Sequence, residues 1–405
     1  MVNGRSYTPP ARPIVAICFD GSSDEYLDAA LVRGKMPVLQ KMILTGFRGL
    51  ARGALPSFTN VNNSSLITGV SPAKHGISGN FFYDSASGKE VMMNSANYLR
   101  ADTISAAAAQ AGRKVAVITA KDKLREILGH GLKGIAFSAE KAAEAKRETH
   151  GIEGVQSLVG RPAPKIYSAE VSLYVFQAGV ALLRKSEADF LYLSTTDYMQ
   201  HAYAPDQPEA LAFYAEVDRE LGNLLELGAV IGLTADHGMN AKQKPNGEPN
   251  VLYLETMLEA KFGPGFRVIL PITDPYVAHH GALGSFACIH DGAGQQREEV
   301  GRWLAEQSGI TEVYDRASAA RKLELPEDRI GDWVVLSGRD VVIGRTPAYH
   351  DLKALHGGLR SHGGRYEEMV PFILSHPLNK TYAARAAGDP RNFDLFDFVM
   401  NGTIS

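Results

Sequence analysis

Aspartates and histidines recur in four short motifs that could hold metal ions: Asp20-Gly21, Asp197 with His201, Asp236-His237-Gly238 and His362-Gly363-Gly364. The first three closely follow apolar runs (residues 14–19, 189–194 and 229–235), and the fourth stands shortly before another (370–375). In an open α/β sheet, ligands bind beyond the carboxyl ends of the strands. One such aspartate alone is ordinarily a helix cap, but several in one chain point to a shared site. Asp197 and His201 are four apart, so a helix there would put both on one face. Asp236 and His237 would point opposite ways in a strand, and Gly238 lets the backbone turn so that both face one crevice. Donors that are only carboxylate and imidazole suit zinc, with manganese or iron as alternatives. Six such ligands exceed one tetrahedral ion and imply two, ~4 Å apart as in two-metal sites.

Other residues could act on a substrate. Residues 54–69 read as a loop feeding a helix, with Thr59 near the N-cap. Capping would explain Thr59; equally, the free N–H groups of a helix start suit a phosphoryl group, and a metal could turn the hydroxyl into a nucleophilic alkoxide. Asn80 is either a turn residue after Gly79 or a neutral donor to a non-bridging oxygen. Lys121 and Lys123 follow the apolar run 114–120 and, in extended chain, leave one face; solvated surface is the ordinary alternative. His279 and His280 are either a buried, hydrogen-bonded pair or reach the pocket from a cap. His130, His150, His290, His350, His356 and His376 read as structural or exposed.

These residues need a scaffold. The chain has 405 residues, 45% apolar and 21% charged, within the range of globular proteins. Its formal net charge of -3 leaves no basic surface for nucleic acid. Cys18 and Cys288 lie in apolar runs and read as buried thiols, which places the protein in a reducing, cytoplasmic compartment. Residues 1–13 carry no signal-length apolar stretch, so neither export nor a membrane span is expected. Strand-like runs at 14–19, 114–120, 189–194, 229–235 and 370–375 alternate with helical patterns at 24–33, 36–45, 103–111, 170–184 and 208–228. That alternation predicts an α/β fold, a mostly parallel sheet covered by helices on both faces. An Ala-rich stretch, 139–146, reads as a solvated helix. The pattern changes at residues 263–345, with strands at 285–290, 312–315 and 332–336 and helices at 295–307 and 317–323. This is read as a smaller α+β cap inserted into a core of residues 1–262 and 346–405.

In order, Asp20-Gly21, Pro56-Ser57-Phe58-Thr59-Asn60, His75-Gly76-Ile77 with Gly79-Asn80, Asp197 with His201, Asp236-His237-Gly238 and Ser361-His362-Gly363-Gly364 resemble the alkaline phosphatase superfamily. The likeness is greatest to its nucleotide pyrophosphatase/phosphodiesterase branch. Residues 79–83, 119–125, 194–198, 234–242, 270–285 and 359–364 resemble, more narrowly, the phosphonoacetate hydrolase family. The resemblance implies an alkaline phosphatase-like core with two zinc ions. One would be held by Asp197, His201 and His362, the other by Asp20, Asp236 and His237 with Thr59 as oxygen ligand and nucleophile. Asn80 would contact the phosphoryl oxygens, Lys121 and Lys123 the substrate carboxylate, and His280 is placed with the substrate-binding residues. The implied reaction is cleavage of the carbon–phosphorus bond of phosphonoacetate through a phospho-threonine; the alternative is a phosphodiesterase or nucleotide pyrophosphatase on the same metals. A sulfatase is disfavoured by the lack of a Cys/Ser-x-Pro-x-Arg motif, and a cofactor-independent mutase by threonine where serine is usual. A binding protein without turnover is the rival from another class. The expected partner is a small phosphonate, with no nucleic acid and no membrane, and a homodimer remains open.

Overall fold

A computed structural model describes residues 1–272, 280–292, 297–355 and 358–404. A central sheet of seven strands runs in the order β2 (Phe47–Arg52), β17 (Met369–Leu374), β8 (Val230–Thr234), β1 (Ile14–Cys18), β7 (Phe190–Ser194), β5 (Val115–Thr119) and β6 (Ile135–Ser138). From β8 to β6 all neighbours are parallel, Ile14 lying opposite both Phe190 and Val230. β17 is antiparallel to β8 and to β2.

The residues of β1 explain why this sheet is covered on both sides. Val15, Ile17 and the following Phe19 enter one core with helices Asp24–Val32, Pro37–Thr45, Ala169–Arg184 and Pro208–Glu226. Ile14, Ala16 and Cys18 enter another with helices Thr59–Thr68, Ile104–Gln110 and Asp122–Leu128 and the C-terminal segment around Phe396. A strand buried on both faces is a continuous apolar run, as β1 is.

A second, antiparallel sheet runs β11 (Phe266–Ile269), β12 (Phe286–Asp291), β14 (Trp333–Ser337), β13 (Ile310–Asp315). Its core takes in helices Leu254–Phe262 and Arg316–Lys322 and reaches Phe58 and Val61 at the start of helix Thr59–Thr68. Three short pairs complete the set: hairpin β3 (Phe81–Asp84) with β4 (Lys89–Met92), β9 (Asn240–Ala241) with β16 (Arg360–Ser361), and β10 (Val251–Tyr253) with β15 (Val342–Gly344).

The five predicted strands and five predicted helices of the core are present. β2 and β6 lacked an apolar run of their own to mark them: β2 is a half-buried edge strand and β6 has four residues. The solvated helix expected at 139–146 is absent. Ala142–Glu144 forms a single 3-10 turn, and Ala139, Ala142 and Ala145 are buried in the core rather than solvated. Alanines three apart mark packing against the sheet here, which outweighs their helix propensity. Part of the helix expected at 295–307 lies outside the described residues; Arg297–Ala305 is helical. Cys18 and Cys288 are buried free thiols. Among the described residues, no helix is long and apolar enough to cross a membrane.

Gly21 follows β1 with φ +70°, and a Cβ there would lie 2.8 Å from Cβ of Asp197. Gly21→Ala should therefore destabilise metal-free protein by about 1–3 kcal/mol, from left-handed backbone plus overlap. A lower urea midpoint is expected, and an unchanged midpoint would refute the close approach.

Candidate active site

The sheet brings the four motifs to one edge. Asp20, Asp197 and Asp236 lie just past the carboxyl ends of β1, β7 and β8. His362 precedes its strand in sequence, and it joins them because β17 runs the other way, which puts its start at the same edge. The β9–β16 pair, Asn240 opposite Ser361, then lays the His362 loop beside the Asp236-His237 loop. Both loops are tied to Glu367. Its carbonyl accepts the Gly238 N–H (2.8 Å), and its carboxylate accepts from Gly364 N–H (3.1 Å), Asn240 Nδ2 (2.6 Å) and the wholly buried Lys242 Nζ (2.8 Å).

Two clusters could each hold a metal ion: Asp197, His201 and His362, and Asp20, Asp197 and His237, with ligand atoms within 4.8 Å of one another in each. Asp197 Oδ2 lies 2.9 Å from His201 Nε2 and 3.5 Å from His362 Nε2, and Asp20 Oδ1 lies 3.2 Å from His237 Nε2. The expected turn of helix is there: Tyr198–Ala202 starts after Asp197 and presents His201 one turn on. In all three histidines Nδ1 faces a backbone carbonyl: Arg360 for His201 (2.7 Å), Gly238 for His237 (2.9 Å) and Ser57 for His362 (2.7 Å). A carbonyl only accepts, so Nδ1 carries a proton and Nε2 is the nitrogen turned inward, the one that would bind metal. Among the described residues, buried Asp20 faces only the His237 imidazole, through Oδ1, and its Oδ2 has no hydrogen-bond donor. The donor set fits divalent cations.

Asp236 stands against Asp20 and His237 but is engaged by the protein. Its Oδ1 accepts the N–H groups of Gly21 (3.2 Å) and His237 (3.1 Å), and its Oδ2 accepts from Asn63 Nδ2 (3.2 Å) while lying 3.7 Å from His237 Nε2. Asn63 was not foreseen. It also donates to the Thr59 carbonyl (3.1 Å) and accepts from the Tyr192 (2.7 Å) and Ser194 (2.8 Å) hydroxyls, tying helix Thr59–Thr68 to strand β7 and to the Asp236 loop. The signal was its spacing, one helical turn after Thr59.

The charges show what the cluster lacks. Burial, then Asp197 and Asp236, push Asp20 well above the usual carboxylate range. Burial also opposes ionisation of Asp197, yet His201 and Lys121 hold it well below that range. Burial would lower His237, but Asp236, Asp20 and Asp197 outweigh it and raise the imidazole to about 10. His362 drops to about 3 through burial and the neighbouring His237, whose ring stacks 3.5 Å away. Three carboxylates in one buried space draw in positive charge.

Beside the clusters is a cavity of about 50 Å³ lined by Asp20, Thr59, Asn60, Asn80, Met92, Asn94, Lys121 and Lys123, among others. Thr59 is the first helical residue and the cap position is Phe58, so Thr59 is not the cap. Its Oγ1 lies 3.5 Å from His237 Nε2. Asn80 Oδ1 accepts the Asn60 N–H (3.2 Å), which leaves its Nδ2 to donate. Lys121 and Lys123 line the same cavity, but not through the extended chain expected: β5 ends at Thr119 and a helix begins at Asp122, so Lys121 is extended and Lys123 helical. Lys121 Nζ is 3.7 Å from Asp197 Oδ1. His280 Nδ1 accepts the Ala282 N–H (3.0 Å), which puts its proton on Nε2 and makes it a donor. Its ring packs 5.3 Å from that of His201, and it is not among the residues lining the cavity. His279 and His356 lie outside the described residues.

Two outcomes follow from the metal geometry. A histidine raised to about 10 stabilises the fold below its ordinary value near 6.5 and loses that contribution as pH rises toward 10; the raised Asp20 acts in the same direction. Chelated protein should therefore melt at progressively lower temperature from pH 6.5 to 10, and zinc should flatten the slope; a flat profile without metal would contradict the charge balance. His362→Ala should lower bound zinc toward one ion per chain by elemental analysis, and undiminished metal would remove His362 as a ligand.

Residues 14–364 match the family model described as type I phosphodiesterase / nucleotide pyrophosphatase. Crystal structures of phosphonoacetate hydrolase from Sinorhizobium meliloti 1021, in complex with phosphonoformate and with phosphonoacetate, superpose with TM-score 0.95 at 48% identity, over 99% of this chain and 98% of theirs. Murine ectonucleotide pyrophosphatase / phosphodiesterase 5, in complex with AMP, shares the fold at 17% identity, with TM-score 0.64 over 97% of this chain and 96% of that one. The chain thus belongs to the type I phosphodiesterase/nucleotide pyrophosphatase family.

Proposed function

We propose that the protein hydrolyses the carbon–phosphorus bond of phosphonoacetate, giving acetate and phosphate. The observation that carries this reading is the lining of the cavity: two lysines, Thr59 and Asn80 stand on its walls, with no aromatic side chain among its described lining residues. A nucleotide base favours an aromatic surface on which to stack, whereas a small phosphonate carboxylate needs the paired cations. The 48% identity to a phosphonoacetate hydrolase over 99% of the chain supports the same substrate.

Asp197, His201 and His362 would hold one ion, and Asp20, Asp236, His237 and Thr59 Oγ1 a second, with zinc the ion that suits these donors. Such ions, when bound, lower the pKa of a coordinated hydroxyl and neutralise charge on the phosphoryl group. Asn80 Nδ2 and the helix start at Thr59 hold the phosphoryl oxygens. The Thr59 hydroxyl gives up its proton to solvent as Oγ1 attacks phosphorus; the O–P bond forms as the P–C bond breaks, and the electron pair passes to the carbon. That carbon is α to a carboxylate, so the charge spreads onto its oxygens as an enolate beside Lys121 and Lys123, before protonation gives acetate. Water then cleaves phospho-Thr59, releasing phosphate and restoring the hydroxyl. The buried thiols of Cys18 and Cys288 support a cytoplasmic setting.

Purified protein should release equimolar acetate and phosphate from phosphonoacetate, lose the activity to a chelator and regain it with zinc. Rapid cleavage of a nitrophenyl phosphodiester with phosphonoacetate inert would replace this reading by a phosphodiesterase. Thr59→Ala should abolish turnover while zinc remains bound, and near-normal turnover would remove Thr59 as nucleophile. Lys123→Ala should cost about 2–4 kcal/mol in kcat/KM on phosphonoacetate if its charge contact is desolvated, and far less on a simple phosphate ester. Equal losses on both substrates would sink the carboxylate role.

A further inference from the structure

Residues 92–94, at the end of strand β4, form a wall of the cavity that neither the metal motifs nor the lysines account for. Their backbone is fixed to the nucleophile's surroundings. Met93 N–H donates to the Asn80 carbonyl (2.9 Å), and the Met93 carbonyl accepts from Asn60 Nδ2 (2.8 Å). The Met93 side chain is buried with Ile77, Phe82, Leu99 and Ile127. In extended chain its neighbours point the other way, and both Met92 and Asn94 line the cavity with Lys121, Lys123 and Thr59.

The wall is also fixed to the helix that carries Lys123. Glu126 of helix Asp122–Leu128 accepts from Ser95 Oγ (2.9 Å) and Ala96 N–H (3.0 Å) through one carboxylate oxygen. Asn94 is therefore held at a set position relative to the lysines. Among the described residues, no side-chain hydrogen bond engages its amide. A neutral amide can donate to an anionic substrate without the repulsion that the nearby carboxylates impose, and Met92 beside it is apolar and bulky.

We infer that Asn94 and Met92 set the specificity for the substrate's acid end, Asn94 by donating to its carboxylate and Met92 by limiting the carbons between phosphorus and that carboxylate. This inference rests on the phosphonoacetate reading. Binding of the intact ligand to zinc-loaded Thr59→Ala protein, which should not turn it over, tests the wall apart from the chemistry. In calorimetry, adding Asn94→Ala should weaken phosphonoacetate about ten-fold, the value of one hydrogen bond to a charged group, and leave methylphosphonate, which has no carboxylate, within about two-fold. Asn94→Asp should weaken phosphonoacetate further, since it faces one carboxylate with another. Met92→Ala should raise the affinity for 3-phosphonopropionate relative to phosphonoacetate. Equal changes for phosphonoacetate and methylphosphonate in both Asn94 variants, or none, would overturn the role of Asn94, and an unchanged preference in Met92→Ala would overturn that of Met92. Asn94→Ser, with a melting temperature matched to the parent, decides the matter if the other variants fold poorly. Failure of wild-type protein to release acetate would overturn the proposed reaction and leave these binding comparisons readable.

Discussion

Three carboxylates, Asp20, Asp197 and Asp236, are buried within reach of one another at the edge of the central sheet, and the rest of the site answers to that concentration of negative charge. Ionised groups out of water are unstable unless cations or donors face them. Asp236 is met by two backbone N–H groups and Asn63, and Asp197 by His201, His362 and Lys121, while among the described residues Asp20 is faced by His237 alone and its Oδ2 by no donor. A divalent cation is the partner this arrangement suits, and the imidazoles are already turned to share it.

That preorganisation comes from backbone carbonyls. Arg360, Gly238 and Ser57 each hold one imidazole by Nδ1, so ring orientation is set by loop geometry. The loops are in turn clamped by the β9–β16 pair and by the buried Lys242–Glu367 ion pair. A buried pair of this kind contributes little net stability. What it does here is hold Gly238 and Gly364, next to His237 and two residues from His362, through one residue.

The substrate side faces the opposite problem, because an anion must enter beside carboxylates. Lys121 just past β5, Lys123 in the helix that follows, Asn80 and the helix start at Thr59 supply positive or neutral donors, and Met92 at the end of the β3–β4 hairpin forms part of the wall. Two sheets meet here: Phe58, just before Thr59, belongs to the core of the antiparallel sheet and packs edge-on against His362. The positions of Thr59 and His362 thus depend on packing between the two layers.

The strands bearing ligands were legible in the sequence because a strand buried on both faces is an unbroken apolar run, and an aspartate at its end stands out. Asp20, Asp197, His201, Asp236, His237 and His362 could be named from that pattern and from motif resemblance. Three things depended on contacts between residues far apart in the chain. The antiparallel direction of β17, which alone brings His362 to the ligand edge, comes from sheet pairing and leaves no periodicity of its own. The bonds from Asn63 to Asp236 and from Lys242 to Glu367 join residues more than a hundred positions apart, and partners at that range have no local signature. The alanines of 139–146 are buried by the sheet beneath them although their local propensity is helical. Sequence determined which chemistry was available, since residue type and strand-end placement are local properties; tertiary structure decided which of those groups come within reach of one another and which line one cavity, since distance and enclosure are not.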